Sequence, residues 1–313
     1  MNGSEEITGI EPLANAVLIA GPTASGKSAL ALELARLSGG VVINADSMQV
    51  YSTLQVLTAR PSEADMAEAD HRLYGHVHPS VAYSVGEWQR EVSELITSGA
   101  LAGRQAIFVG GTGLYFKALG GGLSDMPQTD PSVRDRWRAM LAAEGPESLH
   151  RRLVETDPDT AAALRPGDGQ RIVRALEVLE STGRSIRYWQ SRPGVAMVDR
   201  ATARRIVVDP GREETNRRVA ERFGQMLDQG GLDEVRALLD LRLDPGLPAM
   251  RAIGVAEMKA LLAGELSRAG AVEAAVTATR QYAKRQRTWF RNQFGPDWAR
   301  ISGASVDEVA KLA

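Results

Sequence analysis

Eight residues near the start of the chain, Gly21-Pro22-Thr23-Ala24-Ser25-Gly26-Lys27-Ser28, fill every fixed position of the P-loop pattern G-x-x-x-x-G-K-[ST]. In such a loop the backbone N–H groups and the positive end of the following helix point at one place. Lys27 adds a full charge there and Ser28 offers a hydroxyl to Mg2+. The chemistry expected is capture of a diphosphate. A carboxylate follows in Asn44-Ala45-Asp46-Ser47-Met48-Gln49-Val50-Tyr51. Asp46 has three readings: a holder of Mg2+ through water, a general base for a nucleophile poised over the diphosphate, or a cap for the next segment. Farther on, Gly110-Gly111-Thr112-Gly113-Leu114-Tyr115 sets three glycines around one hydroxyl. Such a turn lets a ligand lie against the backbone, and a tight strand-to-helix turn has the same composition. The apolar run before it does not end in an acidic residue, which weakens a motor-ATPase reading.

Elements that could position these groups are legible around them. Ala16–Ala20, Val41–Ala45, Ala106–Val109 and Arg205–Val208 are short apolar runs that read as buried parallel strands. Strong helix formers, Ala29-Leu30-Ala31-Leu32-Glu33-Leu34-Ala35, leave the P-loop. The alternation predicts an α/β fold with a doubly wound parallel sheet, whose chemistry gathers at the carboxyl ends of the strands. Gly21, Asp46-Ser47, Gly110–Gly113 and Asp209 all fall there. Residues 126–197 carry helix-period apolar positions, several arginines and Pro/Gly punctuation, and predict an all-helical insertion. The core is then expected to comprise residues 1–125 and 198–313, with a helix over Val219–Leu227 ended by Gly230-Gly231.

Composition narrows the class. With 43% hydrophobic residues the chain can bury a core, and 37 basic against 39 acidic residues imply neither a nucleic-acid coat nor an acidic tail. The absence of cysteine excludes disulfides, thiolate zinc sites and cysteine nucleophiles. Met1–Asn15 is acidic without a long apolar run, and no stretch approaches membrane-spanning length, so a cytoplasmic enzyme with no membrane association is expected. His71, His76 and His78 lack acidic partners at ligand spacing and read as surface or core residues.

Two segments suit a polyanion. Gln170–Leu179 places Ile172, Val173, Leu176 and Leu179 at helical spacing, leaving Gln170, Arg171 and Arg174 toward another face. Arg280, Lys284, Arg287 and Arg291 form a cationic helical stripe beside Tyr282, Trp289 and Phe290, as a nucleic-acid backbone and an unstacked base require. Ordinary amphipathic packing would instead bury the aromatics.

Taken together, these segments resemble the tRNA dimethylallyltransferases, also called tRNA isopentenyltransferases. The likeness runs in order through the P-loop, Asn44–Tyr51, Arg60-Pro61-Ser62, Tyr83-Ser84-Val85, Gly110–Tyr115, Gln170–Val178, Arg222-Phe223 with Met226-Leu227, and Gln281–Arg291. It implies a P-loop kinase-like fold and transfer of a dimethylallyl group from dimethylallyl diphosphate to N6 of the adenosine 3′ of the anticodon. By the same resemblance Gly21, Pro22, Thr23, Ala24, Ser25, Gly26, Lys27 and Ser28 bind the diphosphate, with Mg2+ near Ser28. Lys27 and Arg222 neutralise the leaving group, Thr23 bonds its bridging region, and Asp46 takes the proton from N6. Asp46, Ser47, Met48 and Gln49 are expected to line the base pocket with Thr112 nearby. Gln170, Arg171, Ile172, Val173 and Arg174 are expected to grip the tRNA anticodon stem-loop, with Arg134 adding a phosphate contact.

The resemblance also implies the compact bacterial form, and a monomer is expected. Val255 stands where the family commonly shows an aromatic after Ile-Gly, which bears on the contact expected from Arg251–Glu257. Rival readings are a P-loop kinase of a small metabolite, a prenyltransferase of free adenine nucleotides, and a non-catalytic tRNA-binding protein.

Overall fold

The computed structural model describes residues 10–101, 103–124, 126, 129–303 and 305–306. The chain runs through β1 (Val17–Ala20), α1 (Lys27–Ser38), β2 (Val41–Asn44), α2 (Glu63–Glu68), β3 (Asp70–Arg72), α3 (Val85–Thr97), β4 (Ala106–Gly110) and α4 (Gly113–Leu119). A helical stretch follows: α5 (Pro131–Glu144), α6 (Pro146–Thr156), α7 (Pro158–Ala162), α8 (Gly169–Thr182) and α9 (Ile186–Gln190). Then come β5 (Arg204–Val208), α10 (Arg212–Asp228), α11 (Gly231–Asp240), α12 (Val255–Leu262), α13 (Arg268–Gln293) and β6 (Ala299–Ile301).

The strands form one sheet in the order β3-β2-β4-β1-β5-β6, parallel throughout. From β1 the chain crosses to β2 on one side, and from β4 to β5 on the other. The switch opens a crevice at the carboxyl ends of β1 and β4, where the P-loop and the Gly110–Thr112 turn emerge. Val17, Ile19, Ile107, Val109, Ile206 and Val208 pack with Leu30 and Ala31 of α1 in one buried layer. Full burial of each large side chain contributes about 1.5–3 kcal/mol, so the strand ends that carry the chemistry rest on a rigid base. A second cluster, including Tyr51, Leu54, Phe223, Met226, Val235 and Met258, ties the segment after β2 to α10, α11 and α12.

The four expected strands are present. Sequence reading missed β3 and β6, which are three-residue, partly exposed edge strands without a buried apolar run. The chain divides into two compact units, residues 1–120 with 196–313 and residues 121–195. The division falls a few residues earlier than expected because Gly120 bridges Ala196 antiparallel and the Leu119 carbonyl accepts from the amides of Met197 and Val198, closing a neck there. The second unit is helical around its own core of Leu149, Leu153, Ile172, Val173 and Leu176.

Candidate active site

The P-loop departs from β1 through Gly21, where a Cβ would stand 2.6 Å from the Val208 carbonyl oxygen, so only glycine lets the loop pass β5. Ala24 takes a left-handed φ of 61° and Gly26 one of 92°, turning the loop into α1. The Ser25 amide donates to the Pro22 carbonyl at 3.3 Å and the buried Ser25 hydroxyl accepts from Lys27 N at 3.4 Å. Two remote helices hold the loop from outside. On α10, Arg218 donates to the Ser25 carbonyl at 3.3 Å, and on α13 the buried Gln286 accepts from the Thr23 amide at 2.9 Å.

Beyond β2, Asn44 frames the turn that carries Asp46. Its Oδ1 accepts from the Asp46 amide at 2.8 Å, and its Nδ2 donates to the carbonyls of Asp46 at 2.9 Å and Leu73 at 3.0 Å. Trp88 of α3 donates to the Asn44 carbonyl at 2.8 Å and stacks on Tyr115 of α4 at 4.4 Å, joining this turn to the end of β4. Asp46 Oδ1 accepts from the Met48 amide at 3.0 Å. The cap on the turn therefore rests on Oδ1 alone. Oδ2 takes no protein hydrogen bond among the described residues and faces Gly111, where a Cβ would come within 3.0 Å of it. Thr112 reaches the site through Ser47, accepting from its amide at 2.9 Å and donating to its hydroxyl at 3.2 Å.

These groups border a cavity of about 330 Å3. Thr23, Ala24, Lys27, Ser28, Asp46, Ser47, Met48, Gln49 and Arg222 all line it, whereas Gly21, Pro22, Ser25 and Gly26 of the loop stand behind the lining. Its charges are Lys27, Arg222, Arg251 and Arg285 against one carboxylate, Asp46, among the described lining residues. Leu57, Val219, Phe223, Met226 and Ile253 supply an apolar wall. Burial lowers the Lys27 ammonium to about 8; the negative charge of Asp46 opposes the shift and the Arg222 charge adds to it. Burial likewise lowers Arg222 to about 10, against the pull of Asp46, so it stays charged at neutral pH. Tyr74, Tyr115 and Tyr282 are held above the usual phenol range by burial first and by Asp46 second, and so stay protonated. Gln49 spends both amide hydrogens on the carbonyls of Thr58 and Ala59, at 2.9 and 2.8 Å. Glu234 of α11 accepts from the amides of Gln55, Val56 and Leu57, which secures the loop walling the cavity.

The comparisons with known proteins fit this geometry. Residues 49–293 match the family model described as IPP transferase, and residues 14–81 match one described as isopentenyl transferase. The chain belongs to the IPP transferase family. It is 58% identical over 92% of its length to a tRNA dimethylallyltransferase of Mesorhizobium japonicum, covering 89% of that protein. Identity to the tRNA dimethylallyltransferase of a Chelativorans species is 59%, over 91% of this chain and 98% of that one. Among solved structures it resembles the full-length tRNA isopentenylpyrophosphate transferase of Bacillus halodurans, at TM-score 0.66 and 31% identity over 96% and 94% of the two chains. A eukaryotic dimethylallyltransferase acting on tRNA superposes at TM-score 0.79 with 27% identity, over 93% of this chain and 74% of that one.

Several expectations for this IPP transferase need correction. Ile172 and Val173 are 0% and 5% exposed, so their side chains serve the core of the second unit, while Gln170 and Arg171 are exposed and Arg174 is half-buried. Arg174 is itself engaged, donating to Thr129 Oγ1 at 2.6 Å and pairing with the buried Glu177. The stripe on α13 is only half free. Arg287 pairs with Asp209 at 2.8 Å and also donates to Gly211 and Thr215, while Arg280 donates to the Asn216 carbonyl at 3.3 Å. Phe290 is buried and Trp289 covers Gly113, as amphipathic packing requires. Asp209 is therefore a partner of α13 rather than a group in the cavity. Contrary to the expected lack of acidic partners, His76 pairs with Glu91 at 2.7 Å, whereas His71 and His78 contact Ala69 and Ser80; no group of three or more His, Asp and Glu able to hold a metal occurs among the described residues. Val255 is buried, whereas Arg251 and Ile253 line the cavity. Sequence reading missed Trp88, Arg218, Glu234 and Gln286 as supports, because each acts on a segment far away in the chain; it also missed Asn44, although Asn44 braces Asp46 two residues on.

Proposed function

We propose that this chain transfers the dimethylallyl group of dimethylallyl diphosphate to N6 of the adenosine 3′-adjacent to the anticodon in tRNA, forming N6-dimethylallyladenosine and releasing diphosphate. The observation that carries the reading is a phosphate cradle whose cavity is completed by an apolar wall and, among the described lining residues, a single carboxylate. An allylic diphosphate presents anionic and apolar ends to such a cavity. As the N6–C1 bond forms, the allylic C1–O bond breaks and the diphosphate departs toward Lys27 and Arg222, preorganised cations where charge develops. Asp46 Oδ2 accepts the N6 proton. Thr23 orients the bridging region of the donor, and Ser47, Met48 and Gln49 wall the side from which the adenine enters.

The Ser28 hydroxyl lies on the same cavity as Asp46 and suits Mg2+, which binds through few protein oxygens and takes water and phosphate for the rest. When bound, Mg2+ offsets charge on the diphosphate. The reading is of a monomer, and of a cytoplasmic protein because its relatives are named for tRNA modification; no helix among the described residues is long and apolar enough to cross a membrane.

The test is incubation of purified protein with dimethylallyl diphosphate and unmodified tRNA, followed by mass analysis of the nucleosides. Prenylated adenosine and released diphosphate are expected, with ATP supporting nothing. ATP-dependent phosphorylation of a small acceptor without a tRNA product overturns the reading.

The second unit makes its own prediction. Arg171 has a 75% exposed side chain, so Arg171→Ala should weaken tRNA binding and reduce the slope of log affinity against log salt by about 1. Arg174→Ala should also lower the thermal midpoint, because it leaves the buried Glu177 carboxylate without its cation. Salt-dependence and melting curves separate the two effects.

A further inference from the structure

The two substrates in the proposed reaction meet different parts of the frame, the donor on the P-loop after β1 and the acceptor beside the turns after β2 and β4. One side chain bridges them. Gln286, 6% exposed in the C-terminal third of α13, accepts from the Thr23 amide at 2.9 Å through Oε1 and donates to the Gly111 carbonyl at 2.9 Å through Nε2. Both ends of one amide are spent on main chain 263 and 175 residues away. The fit is close: a Cβ on Gly111 would come within 2.2 Å of Gln286 Nε2 and 3.0 Å of Asp46 Oδ2. The bare face of Gly111 is thus what admits the amide alongside the carboxylate.

We propose that Gln286 is a positioning residue that holds the donor loop in register with the Asp46–Gly111 side of the crevice, acting on transfer through Thr23. Resting on the prenyl-transfer reading, this adds a residue to it. The Thr23 amide is committed to α13, so Gln286 sets where the Thr23 hydroxyl points while the phosphate is gripped by the rest of the loop and by Lys27. The neighbouring Ala24 is left-handed, a conformation that a non-glycine residue adopts at a cost and that outside contacts must maintain. Arg287, next along the helix, anchors α13 to β5 through Asp209, so the amide is presented from a fixed support. Displacement of reacting groups by about 1 Å costs on the order of 100-fold in rate, so a lost bridge should be read in the transfer step.

The experiment is a double-mutant cycle on single-turnover prenyl transfer. Gln286→Met matches the side chain in length and removes both hydrogen bonds. It should slow transfer about 100-fold while leaving tRNA affinity within about threefold. Thr23→Ala should cost the parent protein at least about tenfold and cost the Q286M background less than about threefold, because the hydroxyl is already misdirected there. A general loss of stability would leave the cost of Thr23→Ala the same in both backgrounds. If Q286M does not fold, the same cycle is run with Gln286→Asn, which keeps the polar group but is too short to span both partners. Transfer within about twofold of parent, or equal costs of Thr23→Ala in the two backgrounds, overturns the proposal. A parent protein that prenylates no tRNA overturns the function instead, and is told apart because it fails before any variant is made.

Discussion

Asp46→Asn is expected to lower single-turnover prenyl transfer by about 100- to 10,000-fold, the usual contribution of a positioned general acid–base group. The substitution suits the test because the two carboxylate oxygens do different work. Oδ1 accepts the Met48 amide and caps the turn, a bond that the asparagine carbonyl oxygen can keep. Oδ2 faces Gly111 and the cavity without a protein hydrogen bond among the described residues, and an amide nitrogen in its place cannot accept the N6 proton. The fold is therefore expected to survive, with the Asn44 frame intact and the thermal midpoint little changed. Affinity for tRNA and for dimethylallyl diphosphate should also persist. Transfer within about threefold of the parent rate would remove Asp46 from the proton step. The expectation is sharper because the nearby phenols offer no substitute: Tyr74, Tyr115 and Tyr282 all hold their protons more tightly than a free phenol. Because Asp46 is the single carboxylate among the described lining residues, its loss also removes the counter-charge that Lys27 and Arg222 feel.

The parts of this site that were legible in the sequence are those written locally. The P-loop is a contiguous pattern, and the apolar runs of β1, β2, β4 and β5 show their burial in their own composition. Asp46 and the Gly110–Gly113 turn could be placed because chemistry in a parallel sheet collects where strands end. What stayed hidden is carried by long-range partners. Nothing around Gln286 announces that it meets Thr23, or around Arg218 that it meets Ser25. The basic stripe on α13 shows why residue type alone misleads. Arg287 and Lys284 share a helix face by spacing, yet Arg287 is closed onto Asp209 whereas Lys284 is exposed. Ile172 and Val173 make the same point from the other side. They lie within a segment expected to grip RNA, but their helical spacing belongs to the core, and burial wins because each apolar side chain so placed contributes a few kcal/mol at most once and only inside. Edge strands β3 and β6 escaped because three partly exposed residues carry no periodicity to read.

Lys27→Met should abolish most of the grip on the donor, weakening dimethylallyl diphosphate binding and slowing transfer by about 100- to 1,000-fold, the range found when a preorganised donor to developing negative charge is removed. Its position makes the effect larger than for a surface lysine. The ammonium donates to the Pro22 carbonyl at 3.3 Å within the loop, and burial has lowered it to about 8. The sign of the pH dependence follows. Below about 8 the free enzyme presents a charged lysine; above that value the ammonium is lost, and the diphosphate must restore the proton as it binds, since an anion favours the charged form. Affinity for the donor should therefore fall as pH rises past about 8, and binding at pH ~9 should take up a proton, measured by calorimetry in buffers of different ionisation enthalpy. Lys27→Met should bind weakly at every pH and take up no proton. Arg222 separates this effect from a general change in the cavity, because its guanidinium, lowered only to about 10, remains charged across the same interval. Proton uptake that persists in the methionine variant, or donor affinity unchanged between pH ~7 and ~9, would place the titrating group elsewhere and leave the lysine without the role its burial implies.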